Sequence, residues 1–147
     1  MNGYRPDWAE REMLLMNDAP YARHLGIRIT DVAEGYAKVI MSTIAPYFGN
    51  RFGIIHGGGI CSLIDVAASM AVRSTVLPGQ RTATIGLSVD FMAGAKGKQV
   101  VAEGHVTRRG ATLGFVDVMV RDEDGTPVAK GGGTFMIFRM DEGTRTD

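Results

Sequence analysis

Between Asn50 and Val72 the sequence reads NRFGIIHGGGICSLIDVAASMAV, and the residues that could do chemistry fall at fixed spacings. An asparagine stands at 50, a histidine at 56, three glycines at 57–59 and an aspartate at 65. Gly57, Gly58 and Gly59 directly precede Ile60 to Val72, a run with apolar residues at helical spacing. Backbone N–H groups there have no side chain to shield them and sit at the positive end of a helix dipole, which suits a developing oxyanion. A tight turn would use the same glycines equally well. Asn50 can donate from its amide and His56 can donate or orient, although a lone loop histidine is more often structural than catalytic.

Asp65 lies between Ile64 and Val66. At about 100° per residue, Ile60, Leu63, Ile64, Ala67 and Ala71 share one helix face, and Asp65 falls on the flank towards Ser62 and Ser69. No other charged residue follows in this helix until Arg73, so its polar face is made of serines and small residues, suited to packing against another chain. Asp65 reads either as a solvated aspartate or as a partly desolvated base or nucleophile. The nine residues from His56 to Asp65 would place them ~13 Å apart along a helix axis and half a rotation apart. Within one chain they cannot serve one substrate atom. If both act, a twofold dimer with antiparallel helices must combine the helix N-terminus of one copy with Asp65 of the other.

The elements that would hold these groups are legible from periodicity. Asp7 to Asn17 mixes Trp8, Met13, Leu14 and Leu15 with charges, as a short packing helix closed by Asn-Asp-Ala-Pro. From Gly26, Ile27 and Ile29 and then Ala37, Val39 and Met41 alternate with polar residues around Glu34-Gly35, which predicts a hairpin. After the central helix and the Leu77-Pro78-Gly79 break come four β-rich runs, Thr82–Met92, Gln99–Arg109, Thr112–Arg121 and Pro127–Met140. A hairpin, one long helix and four further strands make an α+β pattern in which a curved antiparallel sheet wraps around the helix. Glycines inside the strands, Gly86, Gly104, Gly114 and Gly131 to Gly133, point to curvature or close backbone approach. The ends, Met1 to Arg5 and Asp141 to Asp147, are expected to fray.

The 147 residues fit a single domain, 1–147. Sixteen basic residues balance sixteen acidic ones, leaving no field to draw a polyanion, so no nucleic-acid partner is expected. A single cysteine, Cys61, and three scattered histidines offer neither an internal disulfide nor a multi-cysteine zinc site, so no metal is expected and a reducing, cytoplasmic setting fits. Charges interrupt the N-terminal segment where a signal peptide needs an apolar run, and no stretch nears ~18 apolar residues, so no membrane association is expected.

The HGG run, the aspartate nine residues after its histidine and the asparagine six before it resemble the hotdog-fold acyl-CoA thioesterases of the phenylacetate-pathway, PaaI-like, type. PYARHLGIRI before the first strand and TIGLSVDFMAGA after the helix resemble the corresponding segments, so the likeness covers residues 19 to 140. One departure is Gly94, where a proline often follows the strand. The resemblance implies an acyl-CoA substrate, no cofactor, and an obligatory homodimer assembled into a homotetramer as a dimer of dimers. It implies that the Gly57 N–H polarises the thioester carbonyl, with Asn50 and His56 orienting it or a water. Asp65 of the facing copy acts as general base or nucleophile, and Thr84, otherwise an ordinary strand threonine, matches the residue that holds the attacking water. Gly58, Phe52 and Met92 are expected to bind substrate, within walls that include Phe48, Ile55 and Leu63. Arg108, Arg109 and Lys130 read either as contacts to CoA phosphates or as surface charges. A hotdog hydratase or dehydratase and a non-catalytic acyl-CoA-binding protein are the alternatives.

Overall fold

A computed structural model describes residues 4–42 and 49–139. Two short helices come first, α1 (Pro6–Asp18) and α2 (Pro20–Leu25), followed by the hairpin β1 (Ile27–Ala33) and β2 (Tyr36–Ser42). The central helix α3 (Gly57–Arg73) leads into β3 (Gln80–Phe91), β4 (Gln99–Arg109), β5 (Leu113–Asp122) and β6 (Pro127–Arg139). Prolines start both short helices, in the first turn where an absent N–H removes no bond, and Gly26 closes α2 in the left-handed region at φ 63°. α2 was not expected, because six residues carry too little periodicity to show. Leu14 and Leu15, expected to pack, are exposed on α1, while Ala9 and Glu12 face inward.

All six strands form one antiparallel sheet in the order β1-β2-β4-β5-β6-β3. This is the expected hotdog architecture, with α3 packed against every strand. Ile60, Leu63, Ile64, Ala67, Met70 and Val72 of α3 are buried against Val39, Met41, Val100, Val120 and Phe135 of the sheet. Gly104 lets the helix come close, since a Cβ there would lie 2.9 Å from the Ala67 carbonyl oxygen. At the C-terminal end of α3, Arg73 forms a buried ion pair with Glu12 and donates to the Gln80 carbonyl at 3.3 Å, tying α1 to the core. Removing one partner would leave a buried unpaired charge, which costs about 3–5 kcal/mol.

The two sheet edges are treated differently. At β1 the Asn17 amide donates to the Ile29 carbonyl at 3.0 Å and accepts the Ile29 N–H at 2.8 Å, so a side chain stands in for a neighbouring strand. The twelve-residue β3 has no such cover among the described residues and exposes Ile85, Leu87 and Phe91. A long apolar open edge is a template for pairing with another chain.

Candidate active site

α3 begins three residues before its apolar run, so Gly57, Gly58 and Gly59 are its first turn rather than a loop before it. His56 is the N-cap. Its Nδ1 accepts the Gly58 N–H at 2.9 Å and its carbonyl accepts the Gly59 N–H at 2.9 Å. With Nδ1 an acceptor, the proton of the neutral ring is on Nε2. These bonds consume two of the exposed first-turn donors and leave the Gly57 N–H without a partner among the described residues. Gly58, expected to bind substrate, has its amide occupied by the cap.

Asn50 holds the preceding loop together. Its Oδ1 accepts the N–H groups of Phe52 at 2.9 Å and Ile54 at 3.2 Å, and its own N–H donates to the Ile54 carbonyl at 2.6 Å. The Nδ2 donor remains unbonded among the described residues. Asn50 and Gly57 line one groove of about 430 Å³, whose apolar walls include Ile55, Ile60, Phe91 and Met92. The Phe91 ring lies so close to Gly57 that a Cβ there would sit 3.2 Å from it.

Asp65 sits half-buried on the face of α3 that the sheet leaves uncovered, with Gly58, Cys61, Ser62, Val66 and Ser69. Its Oδ1 accepts the Thr84 hydroxyl at 2.9 Å. A hydroxyl that donates to a carboxylate keeps lone pairs to accept from a water, and the carboxylate keeps its second oxygen. One chain therefore carries two half-constellations: Asn50, His56 and Gly57 at the N-terminus of α3, and Asp65 with Thr84 about 12 Å further along its axis.

Other expected residues are placed differently. Met92 and Ile55 line the groove, but Phe52 is outside it, 69% exposed, with the Arg51 guanidinium 4.5 Å above its ring. Leu63 is fully buried in the core and cannot be a pocket wall. Phe48 lies outside the described residues. Lys130 pairs with Asp90 at 3.7 Å on the opposite face of the sheet, and Arg108 and Arg109 end β4, none of them at the groove. A larger hollow of about 610 Å³ on that opposite face is lined by Lys130 and Asp90 but by none of Asn50, His56, Gly57, Asp65 and Thr84. The sequence reading missed Tyr21, whose hydroxyl meets Ser62 Oγ at 2.7 Å beside the uncovered face of α3, because α2 itself was not foreseen. Among the described residues no cluster of three His, Cys, Asp or Glu could hold a metal, and no helix is long and apolar enough to cross a membrane.

Comparison with known proteins identifies the family. Residues 52–129 match the thioesterase superfamily. A Halobacterium salinarum protein named as a candidate esterase is 34% identical over 132 residues, covering 80% of this chain and 83% of its own. The acyl-coenzyme A thioesterase PaaI of Escherichia coli is 31% identical over 123 residues, covering 83% and 84%. The solved structure of E. coli PaaI superposes with a TM-score of 0.80 at 24% identity, covering 92% of this chain and 95% of that one.

Proposed function

From the premise that the chain belongs to the thioesterase superfamily and is a thioester hydrolase, we propose that it converts an acyl-CoA to the free acid and CoA at sites shared between two copies. One observation carries the reading: the Gly57 N–H, unpaired among the described residues, opens onto an apolar groove, while the hydroxyl-bonded Asp65 lies about two turns further along the same helix on its uncovered face.

Gly57 N–H and Asn50 Nδ2 donate to the thioester carbonyl oxygen and stabilise the negative charge that develops on it. His56 fixes the direction of the first-turn amides through its cap. On the other copy, Asp65 takes a proton from a water held with Thr84, and the water oxygen adds to the carbonyl carbon; direct attack by the Asp65 carboxylate is the second route open to this residue. The tetrahedral intermediate collapses by expelling the thiolate, which takes up the proton. A thiolate is a weaker base than an alkoxide, so it leaves without a metal's assistance.

Register supports the sharing. Phe91 of β3 lies beside Gly57 and Thr84 beside Asp65, so β3 runs antiparallel to α3. If two β3 edges pair about a twofold between Leu87 and Ser88, Thr84 of one copy comes opposite Phe91 of the other. That motion carries Asp65 to the second copy's Gly57. Chain 1–147 is then one hotdog domain and the dimer its smallest active unit, with a dimer of dimers as the larger assembly. The lone thiol suits a reducing cytoplasm.

The test is thiol release across aromatic, medium-chain and long-chain acyl-CoAs, with light scattering for the assembly. Turnover of at least one class by a dimer or larger species is expected. Binding of acyl-CoA without release of thiol would replace this reading with that of a binding protein.

A further inference from the structure

The groove that begins at Gly57 runs past Met92, Ala93 and Gly94 to Ala95, and its two walls meet where a Cβ on Gly94 would touch Ile54 at 3.2 Å. Each of the two segments that meet there carries a cation next in sequence to a groove residue, Arg51 after Asn50 and Lys96 after Ala95. The Arg51 guanidinium is stacked over the exposed Phe52 ring, and Lys96 is exposed. Neither has an ion-pair partner among the described residues.

The nearest acids do not claim the lysine, because their oxygens hold backbone instead. Asp122, which is buried, accepts the N–H of Lys96 at 3.2 Å and those of Asp124 and Thr126 at 3.1 and 3.0 Å. Glu123 accepts the Lys98 N–H at 2.7 Å, and between them Gly97 has φ +86°, with the Glu123 carboxylate where a Cβ would stand. A lysine side chain is thus presented to solvent from a loop whose backbone is fixed at several points. In the other segment Asn50 fixes the backbone around Arg51 in the same manner: its Oδ1 accepts the N–H groups of Phe52 and Ile54 after Arg51, and its own N–H, before Arg51, donates to the Ile54 carbonyl.

We propose that Arg51 and Lys96 bind the phosphates of the substrate's CoA moiety at the outer end of the groove. This rests on the acyl-CoA reading above. Two cations without ion-pair partners among the described residues, on preorganised loops flanking the groove, are complementary to an extended arm that ends in a polyanion. The reach is right too: from Phe91, at the Gly57 amide, to Lys96 is five residues, which span at most about 16–18 Å, comparable with an extended pantetheine arm.

The experiment compares acyl-CoA with the same acyl group on pantetheine, which keeps the thioester and arm but lacks the phosphates. In Arg51→Gln/Lys96→Gln the KM for acyl-CoA should rise roughly tenfold more than the KM for acyl-pantetheine, with kcat for acyl-CoA little changed. Arg51→Lys/Lys96→Arg should restore most of the loss. Arg108→Gln/Arg109→Gln removes the same charge away from the groove and should leave the KM ratio as in the wild type. Equal KM changes for both substrates, or a selective rise in the Arg108/Arg109 variant instead, would overturn the proposal. Calorimetry with CoA alone separates this failure from that of the function. If the wild type hydrolyses neither thioester, the hydrolase reading falls. The phosphate site then stands only if CoA binds the wild type and binds the double Gln variant about tenfold more weakly, and it falls if the two bind alike or not at all.

Discussion

Asn50 uses the two ends of one amide for different purposes. Oδ1 closes the loop by accepting two backbone N–H groups, and Nδ2 is left as the donor beside the groove. Truncation to alanine would remove both, so it could not say which matters to the reaction. Asn50→Asp keeps the acceptor and deletes the donor. We expect it to lower kcat for thioester hydrolysis by ~10²–10³, the usual cost of one oxyanion donor, with a thermal midpoint close to that of the wild type. Asn50→Ala should lose activity and midpoint together; full activity in Asn50→Asp would remove Nδ2 from the chemistry. At this scale the sequence showed residue types but not their partners. Asn50, His56, Gly57 and Asp65 stood out by type and spacing, but a histidine is an uncommon N-cap, so nothing announced that His56 would occupy the Gly58 amide and single out Gly57. Arg51 and Lys96 were invisible as a pair because forty-five residues separate two loops that meet only in the fold.

The strands and the long helix were legible because each buries one face, and burial imprints period 2 or 3.6 on the sequence. Boundaries slipped where that imprint fades: the glycines of the first turn of α3 bury little, and α2 is shorter than two turns. Pairing partners were not legible, and one cross-strand cluster shows what they add. Tyr36 on β2 donates to Glu103 on β4 at 2.7 Å and packs against the His105 ring at a centroid distance of 4.9 Å. Burial, then the hydrogen bond to Glu103, then the charges of Glu103 and Asp31 push its phenol up to about 12. The folded state therefore keeps this proton after the unfolded chain has released it near 10. The cluster's contribution is fully present below pH 10 and is lost as the pH rises towards 12, since there the folded state binds more protons than the unfolded one. Denaturant midpoints between pH 9 and 12 should fall more steeply for the wild type than for Tyr36→Phe, which has no phenol to ionise. Parallel curves would mean that Tyr36 titrates normally.

For the whole molecule, one edge of the sheet is finished by Asn17 and the other is left open among the described residues, and the uncovered face of α3 carries small residues around a carboxylate. The shared site proposed above would cover both with a second copy. If His56 and Asp65 both act, their spacing already calls for two chains, but which surfaces would meet depends on the exposure of β3, which no local pattern records. The arrangement makes two geometric demands. If Gly57 of one helix faces Asp65 of the other, the twofold passes midway between them, at Cys61, which lies on the uncovered face. A short bis-maleimide should therefore link two chains through Cys61, the single cysteine, and Cys61→Ser should give no linked species. A thiol that labels fully without linking would refute that axis. The second demand concerns activity. Asp65→Asn should lower kcat by ~10²–10⁴, so paired with Asn50→Asp it gives two parents that are each nearly inactive. Co-expressed in equal amounts, they form mixed dimers at random in half of all cases. In each mixed dimer one site receives both defects and the other receives neither, so about a quarter of wild-type thiol release should return. Sites contained within single chains would recover nothing, because every chain carries one defect or the other. A co-expressed preparation proved by tagging to contain the mixed species, yet no faster than its parents, would mean that Asp65 acts on the groove of its own chain.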